Sequence, residues 1–418
     1  MNTSFYHENN THFPESDIHI SGKKIKNLLA NANYCYHCYR CNNVCPLSHL
    51  GVFYPQKLIA GLVFSSNNHI LKVNNIWECL TCGQCTIYCP MTHENVGVRI
   101  PELILQLRML SIENQKLIEE NYQYETHDNI MPLIARIMAE NPLYPNKLDF
   151  LKSTKLKTTE SGEIAYFVGC LPIMEEIFYN LNINYVSTAV TIISLLNESG
   201  IVPVVLNEKC CGHDLLWGQG DMKNFKELAK YNIEIYREAG VKTIILGCAE
   251  GYRTWKFDYP KVTNDFDFEV LHFSEFILKE KILESVRFPK GPRIKVTYHD
   301  SCRLGRMGDK LYEAPRELIK KIPGVDFVEM RSIKNDALCC GVSTFKGCNE
   351  FTRILRQNRI NEAIETGADY LIVPCPKCLT HFSCYINEPS INSEQKEDKT
   401  KIKVVDLASF IGKLLYIS

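Results

Sequence analysis

His299-Asp300-Ser301-Cys302, then Cys339-Cys340-Gly341, then Cys375-Pro376-Lys377-Cys378: these stretches place five cysteines in one spaced set, and that set decides how the chain folds. An earlier set has the same layout, with Cys170, Cys210-Cys211-Gly212 and Cys248-Ala249-Glu250-Gly251. It lacks only the last thiol, whose place Gly251 takes. The surrounding sequence repeats at an offset of about 130 residues. Ile164 to Cys170 matches Ile294 to Cys302 as a short apolar run ending at a cysteine. Thr243 to Cys248 matches Tyr370 to Cys375, and Val270 to Ile277 matches Val404 to Ile411. Each copy alternates such runs with amphipathic segments, Asn224 to Ala239 in the first and Glu350 to Thr366 in the second, which is the pattern of α/β layers. The cysteines fall at the ends of the predicted strands, the edge where ligands collect in open α/β sheets.

Two more cysteine runs lie upstream. Cys35, Cys38, Cys41 and Cys45 precede Pro46, and Cys79, Cys82, Cys85 and Cys89 precede Pro90. This is the spacing of bacterial ferredoxin motifs, in which the fourth cysteine serves the other cluster. The spacing therefore assigns Cys35, Cys38, Cys41 and Cys89 to one [4Fe-4S] cluster, and Cys79, Cys82, Cys85 and Cys45 to a second. Thiolates are soft ligands suited to iron-sulfur groups. Zinc also accepts four cysteines and is the alternative. Eight cysteines in these runs and nine in the later sets account for 17 of 19, leaving Cys348 and Cys384.

At 418 residues the chain exceeds one hydrophobic core, so two or three domains are expected. The net charge of -1, with both signs interspersed, provides no field to hold nucleic acid. Met1 to Ser21 is polar, without the apolar centre of a signal peptide, and no apolar run is long enough to span a membrane. A long chain with cysteines in metal-ligand spacing points to a reducing cytoplasm, at most peripheral on the inner face of the membrane through a partner. Neither Gly-x-Gly-x-x-Gly nor Gly-x4-Gly-Lys occurs, so no flavin or nucleotide site is expected in this chain, and electrons must come from another subunit.

The expected organisation is a flexible tail at 1-21, an α-helical 2[4Fe-4S] ferredoxin domain at 22-147, a linker at 148-162, and two tandem α/β Cys-Cys-Gly domains at 163-290 and 291-418, related by the internal repeat. In the ferredoxin domain, Pro55 to Val73 and Ile100 to Ile118 read as helices. Val404 to Leu415 reads as an amphipathic helix whose counterpart near Val270 argues for core packing.

Adjacent cysteines can face one site only across a sharp turn, which Gly212 and Gly341 permit. Successive N-H groups in such a turn form an anion-binding nest suited to cluster sulfides. Five thiols are one more than a cubane needs, so the complete set implies unusual cluster geometry. Cys170, Cys210, Cys211 and Cys248 suffice for a cubane, an altered cluster or zinc. His213, Asp214, His299 and Asp300 read as loop caps or as donors beside the cluster ligands. His37, His49 and His93 read as solvent-facing or as hydrogen-bond partners near the ferredoxin loops. Arg303 and Arg306 read as an anion site or as surface ion pairs. Cys348 reads as a buried thiol.

The Cys-Cys-Gly repeats, the runs His299-Asp300-Ser301-Cys302-Arg303-Leu304-Gly305-Arg306 and Ala314-Pro315-Arg316, and the ferredoxin pair together resemble the D-type subunit of heterodisulfide reductase. Iron-sulfur subunits of glycolate, lactate and anaerobic glycerol-3-phosphate dehydrogenases share the layout. The resemblance implies that Cys302, Cys339, Cys340, Cys375 and Cys378 hold a catalytic non-cubane four-iron cluster that cleaves, or forms, a disulfide such as that of coenzymes M and B. It implies a cytochrome b membrane protein or a soluble flavoprotein as redox partner. Two other readings stay open: an electron-transfer subunit of a flavin-dependent dehydrogenase, and a zinc-containing scaffold. The residues after Gly251, Tyr252-Arg253-Thr254-Trp255-Lys256, resemble the family's continuation, so the ligand itself is absent there.

Overall fold

The computed structural model describes residues 30-64, 76-92, 97-113, 127-140, 146-341, 348-388 and 402-417. The expected tail, His93, and the distal parts of the helices expected to reach residues 73 and 118 lie outside these.

Two parallel sheets carry the C-terminal repeat. Strands β1 (Ile164-Phe167), β2 (Thr243-Leu246) and β3 (Glu269-His272) pair in that order. In the second sheet β4 (Ile294-Tyr298), β5 (Val325-Phe327), β6 (Tyr370-Val373) and β7 (Lys403-Asp406) pair in the order β5-β4-β6-β7. The central strands β2 and β6 read Thr-Ile-Ile-Leu and Tyr-Leu-Ile-Val; three of four residues in each are buried, as parallel strands covered on both faces require. The sheets correspond in register: Ile164 lies beside Thr243 as Val296 lies beside Tyr370. Where β5 flanks β4, the first sheet has only Val204, bridged to Ala165.

The crossover helices begin where the sequence supplies caps. Asp221 accepts from the Asn224 amide to open helix Met222-Glu238, whose buried Phe225, Leu228, Ala229, Asn232, Ile233 and Tyr236 form one face. Asn349 and Thr352 cap helix Glu350-Glu365 reciprocally. The expected helix at Val404 to Leu415 is instead β7 followed by helix Leu407-Leu414. Asp406 ends the strand and caps the helix, taking hydrogen bonds from Ala408 N and Ser409 N. That helix packs on helix Val186-Glu198 of the first unit, while helix Phe273-Lys279 packs on Glu313-Lys320 of the second. Equivalent helices thus cross over between the units, and the strand ends of the two sheets meet between them.

The N-terminal module contains short helices at Arg40-Val44 and Gln84-Tyr88 and longer ones at Pro55-Phe64, Ile100-Glu113 and Ile130-Ala139. Its core of Leu58, Leu62, Trp77, Leu103, Ile104 and Leu107 continues into Cys339 and Leu355 of the second unit. The stretch expected as a linker, 148-162, lies against the first unit. It opens with the turn Leu148-Ser153, and Thr159 then exchanges backbone hydrogen bonds with Pro203 and Val205.

Candidate functional site

The two ferredoxin loops share one backbone plan. In the first, His37 and Tyr39 have positive φ (58° and 63°); in the second, Thr81 and Gly83 do (47° and 79°). Three of these four are not glycine, so the conformation is held against steric preference. The turn aims His37 N at Cys35 Sγ and Thr81 N at Cys79 Sγ, each at 3.4 Å. Cys38 and Cys89 act electrostatically on Cys35 and Cys41; in the second loop Cys82 acts on Cys45, Cys79 and Cys85, and Cys85 also feels Cys41 of the first. Burial pushes Cys41 and Cys79 up to about 12 and Cys45 up to about 11. Thiols so placed ionise only beside a cation or metal. The first loop is the outer one, with Cys38 exposed; in the second, Cys79, Cys82 and Cys85 are buried.

The Cys-Cys-Gly turns repeat the device. Gly212 (φ 79°) and Gly341 (φ 90°) point their amides at Cys210 Sγ and Cys339 Sγ, each at 3.4 Å. From there the thiols form a series. Cys170 Sγ lies 3.3 Å from Cys210 Sγ, and Cys210 also takes a hydrogen bond from Cys211. Cys248 hydrogen-bonds Cys375, its counterpart in the other unit; Cys375 bonds Cys378, and Cys378 bonds Cys340. Cys340 neighbours Cys339 and Cys302, and both of these feel Cys82 of the inner ferredoxin loop. Hydrogen bonds from neighbouring thiols hold Cys210 and Cys375 below the ordinary thiol range, while Cys170 and Cys248 are pushed up. A cavity of 50 Å³ is lined by Cys170, Cys210, Cys211, Cys248, Glu250 and Lys377, among others.

Charged side chains surround this series, and apart from Asp214 the motifs gave them no role. Lys377 pairs with Asp214 and, at 2.7 Å, with Glu250, joining the two units in the interior. Burial raises the proton affinity of Glu250, and the Lys377 ammonium beside it opposes that shift. Fully buried Lys147 donates to Glu208 at 3.0 Å and to Gly169 O at 2.7 Å; Glu208 also takes the Gly169 amide, which fixes the turn before Cys170. Arg108, the single basic residue of helix Ile100-Glu113, donates to the carbonyls of Ile76, Trp77, Cys79 and Trp217. A lone arginine in Ile-Leu-Gln-Leu-Arg-Met-Leu was a readable signal for it.

Several expectations change. Arg303 and Arg306 are neither surface residues nor open to a ligand: both are buried and bind the inner ferredoxin loop, at Thr81 O (2.7 Å) and Cys82 O (3.0 Å). His213 is buried between Thr254 Oγ1 (2.9 Å) and Arg303 Nε (3.1 Å). Since arginine must donate, His213 Nε2 accepts and the ring is neutral, in line with burial holding its pKa well below 6.5. His299 likewise accepts from Arg359, and Asp300 grips Arg316 through two bonds of 2.6 and 2.7 Å. That pair joins the two runs His299-Asp300 and Ala314-Pro315-Arg316 in space. His37 is half-buried and bonds Gln56, while His49 is exposed and bonds Asn43 O. Cys348 is exposed, not buried; it directly precedes the Asn349 cap of helix Glu350-Glu365, and Arg356 Nη1 donates to its Sγ at 3.4 Å.

The comparisons with known proteins agree with this layout. Residues 31-93 match the 4Fe-4S dicluster domain, which implies two [4Fe-4S] clusters, and residues 164-252 and 296-383 each match the cysteine-rich domain. The D-type subunit of the dihydromethanophenazine:CoB-CoM heterodisulfide reductase of Methanosarcina acetivorans is 30% identical over 315 residues, 73% of this chain and 71% of that one. The B-type subunit of the fumarate reductase (CoM/CoB) of Methanothermobacter marburgensis is 24% identical, over 90% of this chain and 71% of its own length. The EtfAB:quinone oxidoreductase of Syntrophomonas wolfei is 28% identical over 83% of this chain and 47% of its own. A crystal structure of a hypothetical protein from Helicobacter pylori shares the fold, with TM-score 0.53 at 10% identity over 95% of this chain and 75% of that one. Among the described residues no helix is long and apolar enough to cross a membrane. With a dicluster domain, two cysteine-rich domains and relatives that are oxidoreductase subunits, the chain belongs to the family of iron-sulfur proteins typified by the D-type subunit of heterodisulfide reductase.

Proposed function

We propose that the chain relays electrons from a partner subunit, through clusters held by Cys35, Cys38, Cys41, Cys89 and by Cys79, Cys82, Cys85, Cys45, to a site at Cys302, Cys339, Cys340, Cys375 and Cys378 where a small disulfide is reduced, or, with the electrons running the opposite way, two thiols are oxidised to form one. The carrying observation is the thiol series: Cys41 of the outer loop acts on Cys85 of the inner one, Cys82 of the inner loop acts on Cys302 and Cys339, and Cys340, Cys378 and Cys375 lead on to the junction of the two units. The donor set fits iron-sulfur groups, since the cysteines are unbridged, burial pushes up Cys35, Cys41, Cys45, Cys79, Cys85 and Cys302, and backbone amides meet Cys35, Cys79 and Cys339. When bound, such groups supply one-electron storage and, at the five-thiol site, an iron able to take a substrate sulfur.

Reducing a disulfide takes two electrons and two protons and releases two thiols. Cys170, Cys210, Cys211 and Cys248 would hold a further cluster or zinc in the first unit, and Cys248 would sit against the second site through Cys375. The exposed outer loop, ringed by exposed Tyr34, Tyr36, Tyr39 and Tyr88, is where a partner carrying a haem or flavin would deliver electrons.

The test is electron paramagnetic resonance of anaerobically oxidised protein with and without coenzyme M thiol, beside iron and zinc analysis. A signal that changes on adding thiol is expected. An unresponsive protein with a full iron complement would favour the second reading, an electron-transfer subunit of a flavin-dependent dehydrogenase, which the similarity to the EtfAB:quinone oxidoreductase supports.

A further inference from the structure

Three buried guanidinium groups, one from helix Ile100-Glu113 and two from the segment after Cys302, close on one loop. Arg108 Nη2 donates to Cys79 O at 2.8 Å and to Ile76 O at 2.9 Å. Arg303 forks onto Thr81, with 2.7 Å to the carbonyl and 2.8 Å to the hydroxyl. Arg306 Nε donates to Cys82 O at 3.0 Å, while its Nη1 holds Ala337 O at 2.8 Å and Asn335 O at 3.0 Å. The three residues are 0%, 1% and 8% exposed. The hydrogen bonds of Arg108 and Arg306 named here go to carbonyls, and those of Arg303 to Thr81 and His213, so three like charges sit around residues 76-82, a stretch whose one carboxylate is the part-exposed Glu78; Asp214 and Glu250, which also act on Arg303, are paired with Lys377. The outer loop, Cys35 to Cys41, has the same backbone plan but contains one arginine, Arg40, and that one is exposed to solvent screening.

Buried charge acts far more strongly on its surroundings than exposed charge. Adding an electron to a four-thiolate centre adds one negative charge, which three buried cations favour. Burial of the inner loop opposes this, but it is the burial of those same cations that keeps their attraction unscreened.

We infer that Arg303 and Arg306, with Arg108, are positioning residues that raise the reduction potential of the inner centre above that of the outer one. This rests on the ligand assignment proposed above. Each transfer moves one electron, oxidising the outer centre as it reduces the inner one. The direction is inward, toward Cys302, which is joined to the inner loop through its own neighbours Arg303 and Arg306. Because both arginines lie within four residues of Cys302, a shift of that segment changes the field of these two cations at the inner loop directly.

The experiment is a potentiometric titration of the full-length, anaerobically purified protein, reduced stepwise with dithionite and followed by electron paramagnetic resonance. Two reduced [4Fe-4S] signals test the ligand assignment itself, and fewer than two would overturn that assignment whatever the potentials. With both present, the inference expects two separate midpoints. Arg306→Gln is expected to lower the higher midpoint by about 59 mV, a tenfold change in a one-electron equilibrium, with the lower midpoint unmoved. Arg306→Lys, which keeps the charge but not the fork, is expected to recover most of that shift. If Arg306→Gln loses iron, Thr81→Val serves instead; it removes the hydroxyl that Arg303 binds and is expected to move the same midpoint by a smaller amount in the same direction. Coincident midpoints in the wild type, equal shifts of both signals, or no shift in an iron-replete variant would each overturn the inference.

Discussion

The glycines that close the cysteine stretches of the two repeats answer different physical needs. Gly341 has φ 90°, and a Cβ there would lie 2.5 Å from Thr352 O, so neither the turn nor the space admits a side chain. Gly341→Ala is expected to cost at least about 2 kcal/mol, read as a lower denaturant midpoint together with loss of iron from the second unit. Gly251 lies inside helix Ala249-Arg253, and a Cβ there meets Leu246 Cδ2 at 3.1 Å, the end of a flexible side chain. Glycine at 251 is therefore a missing thiol, not a backbone requirement. Gly251→Cys is expected to fold with a stability change within about 1 kcal/mol and to alter the metal content or resonance spectrum of the first unit. An unchanged spectrum with unchanged iron would show that the four thiols already present determine what that unit binds. The roles of Gly212 and Gly341 were readable from adjacency to paired cysteines. The tolerance at Gly251 was not, because it depends on Leu246 from the preceding strand.

At the level of elements, most of the fold was legible, since strand runs and caps are local signals. Helix Met222-Glu238 begins within two residues of its expectation because Asp221 caps it. The C-terminal element differs from expectation because an amphipathic run of twelve residues hides a strand-to-helix break at Asp406, and strand pairing to β6 is not local. Asp406 is buried; its cap bonds and Thr188 engage Oδ1, and burial pushes it up to about 7. The unfolded side chain titrates near 4. Between those values the native state holds a proton that the unfolded chain has released, so stability falls as pH rises from about 4 to about 7 and stays lower above. Asp406→Asn keeps an acceptor for the cap and removes the charge. It is expected to be more stable than wild type above pH 7 by about 1-3 kcal/mol, with the difference closing toward pH 4 in guanidinium melts. Where helix Leu407-Leu414 meets helix Val186-Glu198, a Cβ on Gly412 would lie 2.0 Å from Thr191 Oγ1. Gly412→Ala is expected to cost about 1-3 kcal/mol. Thr191→Ala combined with it should recover most of that loss, a coupling that a double-mutant cycle reads directly.

At the scale of the whole molecule, the repeat visible in the sequence becomes an approximate two-fold relation between the units. Equivalent residues face each other: Cys248 meets Cys375, Glu250 meets Lys377, and the helices cross over in matched pairs. The sequence showed the repeat but not that its halves face each other, because facing is a property of packing between segments more than a hundred residues apart. It also left the junction's polarity unread, since a glutamate and a lysine in equivalent positions look like ordinary variation until they are found paired. The Lys377 ammonium stands between two buried carboxylates, Asp214 and Glu250. Burial lowers its proton affinity, yet the two carboxylates more than reverse this and hold it above the ordinary lysine value. Removing one member of a buried ionic group leaves its partners uncompensated, at a cost of about 3-5 kcal/mol. Lys377→Met is therefore expected to destabilise the junction by that order, shown by an early unfolding transition and lost protection of the amides after β2 and β6 in hydrogen exchange. Replacing all three charges, as Lys377→Met with Asp214→Asn and Glu250→Gln, removes the uncompensated carboxylates and should restore most of the stability. If the triple variant is no more stable than the single one, the lysine contributes through packing against the thiol series rather than through charge, and the two-fold junction is held by its apolar helices alone.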